Sequence, residues 1–282
     1  MEDGYADLHI HTTNSDGTST VEERLEQAKL RDLSAISITD HDCIDSSFDS
    51  PRVIFDGLEV VTGVEIRANI FNTKVEILGY YVDPTDNILT SMLEKVRGYR
   101  EERNRKMVEE LTKMTDLNVT YESLNASVDG ALGRPHFADI LIDEGFADSV
   151  SEAFDEYLTK GSDAYVPMER APYDKVIDAI HNSGGVASLA HPGRIRSDRV
   201  PEMIRKLANY GLDAVEVWYP YGEVQSNDYA NIGVEDTERL AEAHGLLKTG
   251  GSDCHGPGSG KFRIGEVTVA EEHLVELRAR SS

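Results

Sequence analysis

Along the 282 residues, short apolar runs rich in β-branched side chains alternate with stretches whose apolar positions recur every three or four residues. The first pattern is that of buried strands and the second that of amphipathic helices. The chain is therefore expected to fold as βαβ units around a mainly parallel sheet. Residues 6–11 read as the first strand. Residues 20–30 follow as a helix, with Thr20 placed to cap it and Glu22 and Glu23 in its first turn. Further strands are expected at 34–39, 58–66 and 74–81, the last two joined through polar Asn69 and Asn72-Thr73. From about residue 87 to about 165 the sequence turns charged and helical, with Met92, Val96, Met107, Leu111 and Met114 at the apolar positions. Strand patterns return at 186–190, 214–218 and 246–250, with helices between them. This predicts an α/β barrel built from residues 1–86 and 166–282, interrupted by a helical insert, 87–165.

Composition narrows the class. Hydrophobic residues make up 39% of the chain, enough for a sizeable core. No apolar run reaches the roughly 18–20 residues of a membrane span, and the acidic start Met1-Glu2-Asp3 has none of the features of a signal peptide, so a cytoplasmic protein is expected. Cys43 and Cys254 are the only cysteines, too few for a disulfide scaffold or a CxxC zinc site, and both read as small buried residues. Charge is lopsided: 52 acidic against 28 basic residues give a formal net charge of −24. Such an excess repels itself in dilute buffer and is screened in brine, which points to a halophilic host. It also argues against electrostatic capture of long nucleic acid, and no basic track for DNA is evident.

Chemistry concentrates where strands end. His9 and His11, two apart at the end of the first strand, share a face, and Asp16-Gly17 follows in the turn. Asp40-His41-Asp42 ends the second strand, Glu65 falls near the end of the third, His191-Pro192-Gly193 ends another, and Ser252-Asp253-Cys254-His255 follows the last. The carboxyl ends of parallel strands form the face on which such a barrel builds its site. Imidazoles and carboxylates converging there suit divalent Mn, Zn or Fe. Each motif alone is weak; together they make a metal centre the leading expectation. His181, His244 and His273 sit in helical patterns and read as surface residues.

In order and spacing, Asp7-Leu8-His9-Ile10-His11 through Asp16-Gly17, Thr39-Asp40-His41-Asp42, Gly63-Val64-Glu65, Arg134-Pro135-His136, Ala190-His191-Pro192 and Gly251-Ser252-Asp253-Cys254-His255 resemble the successive motifs of the PHP (polymerase and histidinol phosphatase) family. The resemblance runs from Ala6 to about Val269 and is strongest to small-nucleotide phosphoesterases with a helical insert. Thr12 stands where many relatives carry Ser. The resemblance implies a distorted (β/α)7 TIM-like barrel holding two to three divalent ions. It implies that His9, His11, Glu65 and Asp253 hold the first, that Glu65, His136 and His191 hold the second, and that Asp16, His41 and His255 hold the third.

Metals lower the pKa of bound water from 15.7 toward ~7, so hydrolysis of a phosphomonoester by activated water is the expected reaction. Arg134 and Arg194 are the candidate phosphate clamps, because a guanidinium fork pairs bidentately with phosphate oxygens. Asp40 is expected to orient His41 or to assist proton transfer. Trp218, Tyr219, Pro220 and Tyr221 read equally as base-stacking or as packing. The resemblance implies a small nucleotide of the nucleoside 3′,5′-bisphosphate type as the substrate. Trimming of short RNA from its 5′ end, hydrolysis of histidinol phosphate and a non-catalytic metal-binding regulatory role are the alternatives.

Overall fold

The computed structural model describes residues 4–128, 132–221, 230, 232–257, 259 and 263–281; residues 1–3, on which the reading of the N-terminus rests, lie outside the described residues. The chain divides into two compact units, Met1–Glu94 with Arg170–Ser282, and Lys95–Glu169. The first unit contains β1 (Tyr5–Ile10), α1 (Val21–Leu30), β2 (Ala35–Ile38), β3 (Arg52–Phe55), β4 (Leu58–Ile70) and β5 (Thr73–Tyr80). The long helix α2 (Asn87–Met114) begins there and continues into the second unit, which holds α3 (Tyr121–Ala126), α4 (Arg134–Asp143), α5 (Val150–Ala153) and a π-helical turn, Phe154–Leu158. The first unit then resumes with β6 (Ala171–Pro172), α6 (Tyr173–Asn182), β7 (Val186–Leu189), α7 (Val200–Tyr210) and β8 (Ala214–Trp218). It ends with α8 (Val234–His244), β9 (Leu247–Gly250), β10 (Val269–Ala270) and α9 (Glu271–Arg280).

Strands β1-β2-β4-β5-β7-β8-β9 form one continuous path of seven. A bridge between Ile10 and Cys254, with the His11 N–H donating to the Cys254 carbonyl at 3.0 Å, ties its two ends together. The result is a distorted seven-stranded TIM-like barrel. Its sheet is less parallel than the alternating pattern predicts, because β5 runs antiparallel to both β4 and β7. The cause is local. Phe71 and Asn72 adopt φ of +52° and +61°, a two-residue reversal that returns the chain beside itself, whereas a parallel return needs a crossover of about a dozen residues or more.

Thr20 caps α1 as its position predicts: its hydroxyl accepts the Glu23 N–H at 3.3 Å, and the Glu23 carboxylate accepts the Thr20 N–H at 2.9 Å. The helix buries Val21, Leu25 and Ala28 against Ile36 and Ile38, so its closure onto β2 fixes the loop between β1 and α1. On α7, Val200, Met203, Ile204 and Leu207 are fully buried along one stripe. The second unit has its own core, with Met107, Leu111, Leu124, Phe137, Leu141 and Leu158 at its centre.

Candidate metal centre

His9, on β1, and His11, just beyond its end, come together with both side chains fully buried. Their Nε2 atoms lie 3.2 Å apart, and Asp253 Oδ1, from the loop after β9, lies 3.6 Å from His9 Nε2 and 3.1 Å from His11 Nε2. Glu65 is not near the end of its strand, as the sequence suggests, but in the middle of β4, which overruns β2. The bridge between His41 and Glu65 marks where β2 has ended and β4 continues, so Glu65 still stands at the rim. Its Oε1 is 2.9 Å from His191 Nε2 and 3.7 Å from His9 Nε2, and its Oε2 is 2.8 Å from His41 Nδ1 and 3.6 Å from His11 Nε2. A third group surrounds Asp16, whose oxygens lie 3.1 Å from His255 Nε2, 3.7 Å from His41 Nε2 and 3.8 Å from His11 Nδ1.

Four overlapping ligand sets result: His11, Asp16, His41 and His255; His9, His11 and Asp253; His9, Glu65 and His191; and His41, Glu65 and Glu76. Two donors bonded to one ion at ~2.1 Å stand about 3.0–3.4 Å apart. Most of the donor pairs here fall at or just outside that spacing. His11 Nδ1 and His191 Nδ1 are buried without a hydrogen-bond partner, and His255 Nδ1 points at the Asp253 carbonyl at 2.9 Å, which frees its Nε2 lone pair. Burial works against the charge on Glu65, but His41, His9 and His191 hold its pKa well below the usual carboxylate range. Burial likewise opposes a charge on His9, yet Glu216, Asp253 and Glu65 raise its pKa well above the ordinary value. So many buried acids sharing so few cationic neighbours are the donor set of a polynuclear divalent site, and the residues fit it.

The PHP domain profile matches residues 7–205. The 5′-3′ exoribonuclease Rnm of Escherichia coli (strain K12) is 31% identical over 89% of this chain and 85% of its own. The 3′,5′-nucleoside bisphosphate phosphatase of Chromobacterium violaceum is 30% identical over 93% of this chain and 90% of its own. A solved structure of an amidohydrolase from Chromobacterium violaceum, with bound sulfate and no metal, superposes with a TM-score of 0.75 at 27% identity, covering 98% of this chain and 96% of that one. The chain belongs to the PHP domain family. It is a metal-dependent hydrolase of phosphate esters, which removes the non-catalytic reading.

Other residues of this PHP enzyme lie where the motifs alone do not put them. Asp40 does not reach His41: its Oδ1 accepts the Thr12 N–H at 2.7 Å and the Ser15 hydroxyl at 2.5 Å, and its Oδ2 accepts the Thr12 hydroxyl at 2.5 Å. It therefore holds the turn that presents Asp16. Arg194, in a short turn after His191, places its guanidinium 5.7 Å from the Tyr219 ring centre. Tyr219 donates to Asp253 Oδ2 at 2.8 Å and packs 5.0 Å from Tyr221, while Trp218 tilts against His273 at 4.8 Å, so these rings are engaged in packing. Cys254 is buried as expected, but Cys43 is only half-buried. His273, expected at the surface, is largely covered.

His136 lies in the helical unit, in the first turn of α4, where its Nδ1 accepts the Gly133 N–H at 3.0 Å. Arg134, on the same turn, donates to the Leu158 carbonyl at 3.4 Å. Three residues of the barrel unit went unread in the sequence. Glu76, on β5, faces the Glu65 set, with Oε2 at 3.8 Å from His191 Nε2. Glu216, on β8, stands behind His9. Arg24, fully buried on α1, donates to the His11 carbonyl at 3.0 Å and the Cys254 carbonyl at 3.1 Å, stapling two ligand loops. The signal each left was a charged residue inside an apolar stripe: Val75-Glu76-Ile77, Val215-Glu216-Val217 and Arg24-Leu25.

Proposed function

We propose that this enzyme removes a phosphate from a small nucleotide of the nucleoside 3′,5′-bisphosphate type. The observation that carries the reading is the sharing of ligands: His9, His11, His41 and Glu65 each belong to two of the four sets, which brings the ion positions into one compact rim site. In this reading His9, His11, Asp253 and Glu65 hold one ion, Glu65, Glu76 and His191 a second, and Asp16, His41 and His255 a third. Two or three divalent ions (Mn, Zn or Fe) held there supply Lewis acidity toward phosphoryl oxygens and acidify water near neutral pH. Asp16 is the exposed member, its side chain 43% accessible against 11% or less for the other ligands in the barrel unit, so substrate approaches from its side. Arg194 pairs with the phosphate oxygens, steadied over Tyr219. Arg134 and His136 enter on their motif alone, Arg134 as a second clamp and His136 as a further ligand of the second ion. We also propose that the helical insert selects for short substrates.

The nucleotide class is supported by the Chromobacterium violaceum phosphatase, 30% identical over most of both chains. A second reading, 5′-3′ trimming of short RNA, is favoured by the Escherichia coli exoribonuclease at 31% identity. A phosphate-release screen in molar KCl, with Mn²⁺, Zn²⁺ and Fe²⁺ in turn, separates them. Inorganic phosphate from nucleoside 3′,5′-bisphosphates, with little from histidinol phosphate, is the expected result. Mononucleotides released from short 5′-phosphorylated RNA, with the bisphosphates untouched, would overturn the first reading in favour of the second.

A further inference from the structure

Glu216 sits at the centre of β8 with no exposed surface, between the buried Val215 and Val217. Both of its oxygens are committed. Oε1 lies 2.9 Å from His9 Nδ1, and Oε2 accepts the His191 N–H at 2.7 Å. These partners come from opposite directions along the ring of strands, His9 from β1 and His191 from the turn after β7. His191 also has a left-handed backbone, φ +26°, which a residue with a Cβ adopts only when its surroundings impose it. The carboxylate on its main-chain N–H is one such constraint. On the other side, a carboxylate facing His9 Nδ1 requires a proton there, which leaves the Nε2 lone pair directed at His11 Nε2, 3.2 Å away, and Asp253 Oδ1, 3.6 Å away.

We propose that Glu216 is a positioning residue for the metal centre: it fixes His9 in the Nδ1–H form and pins the strained main chain of His191, so one buried side chain aligns ligands of two neighbouring ion positions. The proposal rests on the metal reading above. A carboxylate behind a ligating imidazole orients the ring and raises its basicity, and losing such a partner costs about 10–100-fold in metal affinity. A residue that only filled the barrel would tolerate its isosteric amide.

Glu216→Gln tests this. The amide has one acceptor and one donor end. With its NH₂ toward His9 it forces the ring proton onto Nε2, which disables ligation; turned round, it sets a donor against the His191 N–H. The expected result is Mn²⁺ and Zn²⁺ binding weakened at least tenfold in chelator competition, with metal-free thermal unfolding near that of the wild type. Wild-type affinity and stoichiometry in the variant would overturn the proposal and leave the metal reading standing. Wild-type protein that takes up no metal would overturn both. Ring-nitrogen NMR of zinc-loaded wild type gives a check that needs no variant: a proton on His9 Nδ1 is expected, and ligation through Nδ1 would overturn the proposal.

Discussion

A carboxylate in a strand can face solvent or the barrel, and nothing in Lys74-Val75-Glu76-Ile77 says which. The closed ring of strands decides it for Glu76, and equally for Glu216. The histidine and aspartate motifs were legible because each interrupts an apolar run at its end. An acid at an alternating strand position looks like an ordinary outward residue until the curvature of the sheet is known. His136 marks the converse: the motif was plain, but the hydrogen bond its ring accepts from the Gly133 N–H is invisible in sequence. Burial and Glu65 oppose a charge on Glu76, while Lys74, His41 and Arg67 favour it, and the balance brings its pKa down to about 2. It is therefore ionised at every working pH. Glu76→Gln is expected to reduce bound metal by one equivalent, or to weaken that equivalent at least tenfold, measured by elemental analysis after dialysis against a weak chelator. Full retention of metal would remove Glu76 from the second position. Far from the centre, His181 Nε2 lies 2.7 Å from Asp213 Oδ2, and that hydrogen bond raises the His181 pKa above its ordinary value. The stability it contributes is complete below the unfolded histidine pKa of ~6.5 and is lost as pH rises through the folded value. The pair is partly exposed, so about 0.5 kcal/mol is at stake. His181→Ala is expected to lower Tm by about 1–2 °C at pH 6 and by progressively less toward pH 9.

At the scale of elements, the centre depends on how closely β9 approaches β1. Gly251 begins the loop after β9, and a Cβ placed there would stand 2.4 Å from His9 N and 2.5 Å from His9 Cβ. Backbone is the obstacle, so no rotamer change relieves it. Gly251→Ala is expected to push β9 away from β1 at the seam that Ile10 and Cys254 bridge, with a cost on the order of 1–3 kcal/mol and weakened metal binding together. Thermal unfolding and a zinc titration on the same preparation check both, and wild-type values in both would show that the seam yields. The elements most legible from the sequence were those with local instructions, such as α1 with its Thr20–Glu23 box. The extent of β4 was not: its second half, through Ala68 and Ile70, is buried by the adjoining β5 and by the short β6, and the contact with β6, which lies far along the chain, is not encoded locally. The antiparallel course of β5 follows from the Phe71-Asn72 reversal, which the polar Asn69 and Asn72-Thr73 join had marked as a turn without revealing its consequence for strand direction.

For the whole molecule, 52 acids face 28 bases, and pairing cannot close that gap. Many of the ion pairs that do form, such as Lys106 with Glu102 and Lys113 with Glu110, lie on exposed helix surface, where solvent screens them and they add little to stability. The remaining negative charge repels itself over the ~8 Å Debye length of 0.15 M salt and is nearly silenced at the ~3 Å of 1 M. Two consequences separate by burial. Stability is expected to rise between 0.1 and 2 M KCl by several degrees in Tm, with chloride used because sulfate stabilises folded proteins generally. A flat Tm over that range would show the acidic surface to be unconnected with brine. The KM for an anionic phosphate substrate is also expected to fall over the lower part of the series, as repulsion by the surface is screened. Zinc affinity at the buried His9, His11 and Asp253 set should move far less, since those side chains are shielded from the ions that screen the surface. Metal affinity that shifted in step with Tm and KM would mean that the rim is open to solvent and that the surface charge acts on the centre directly.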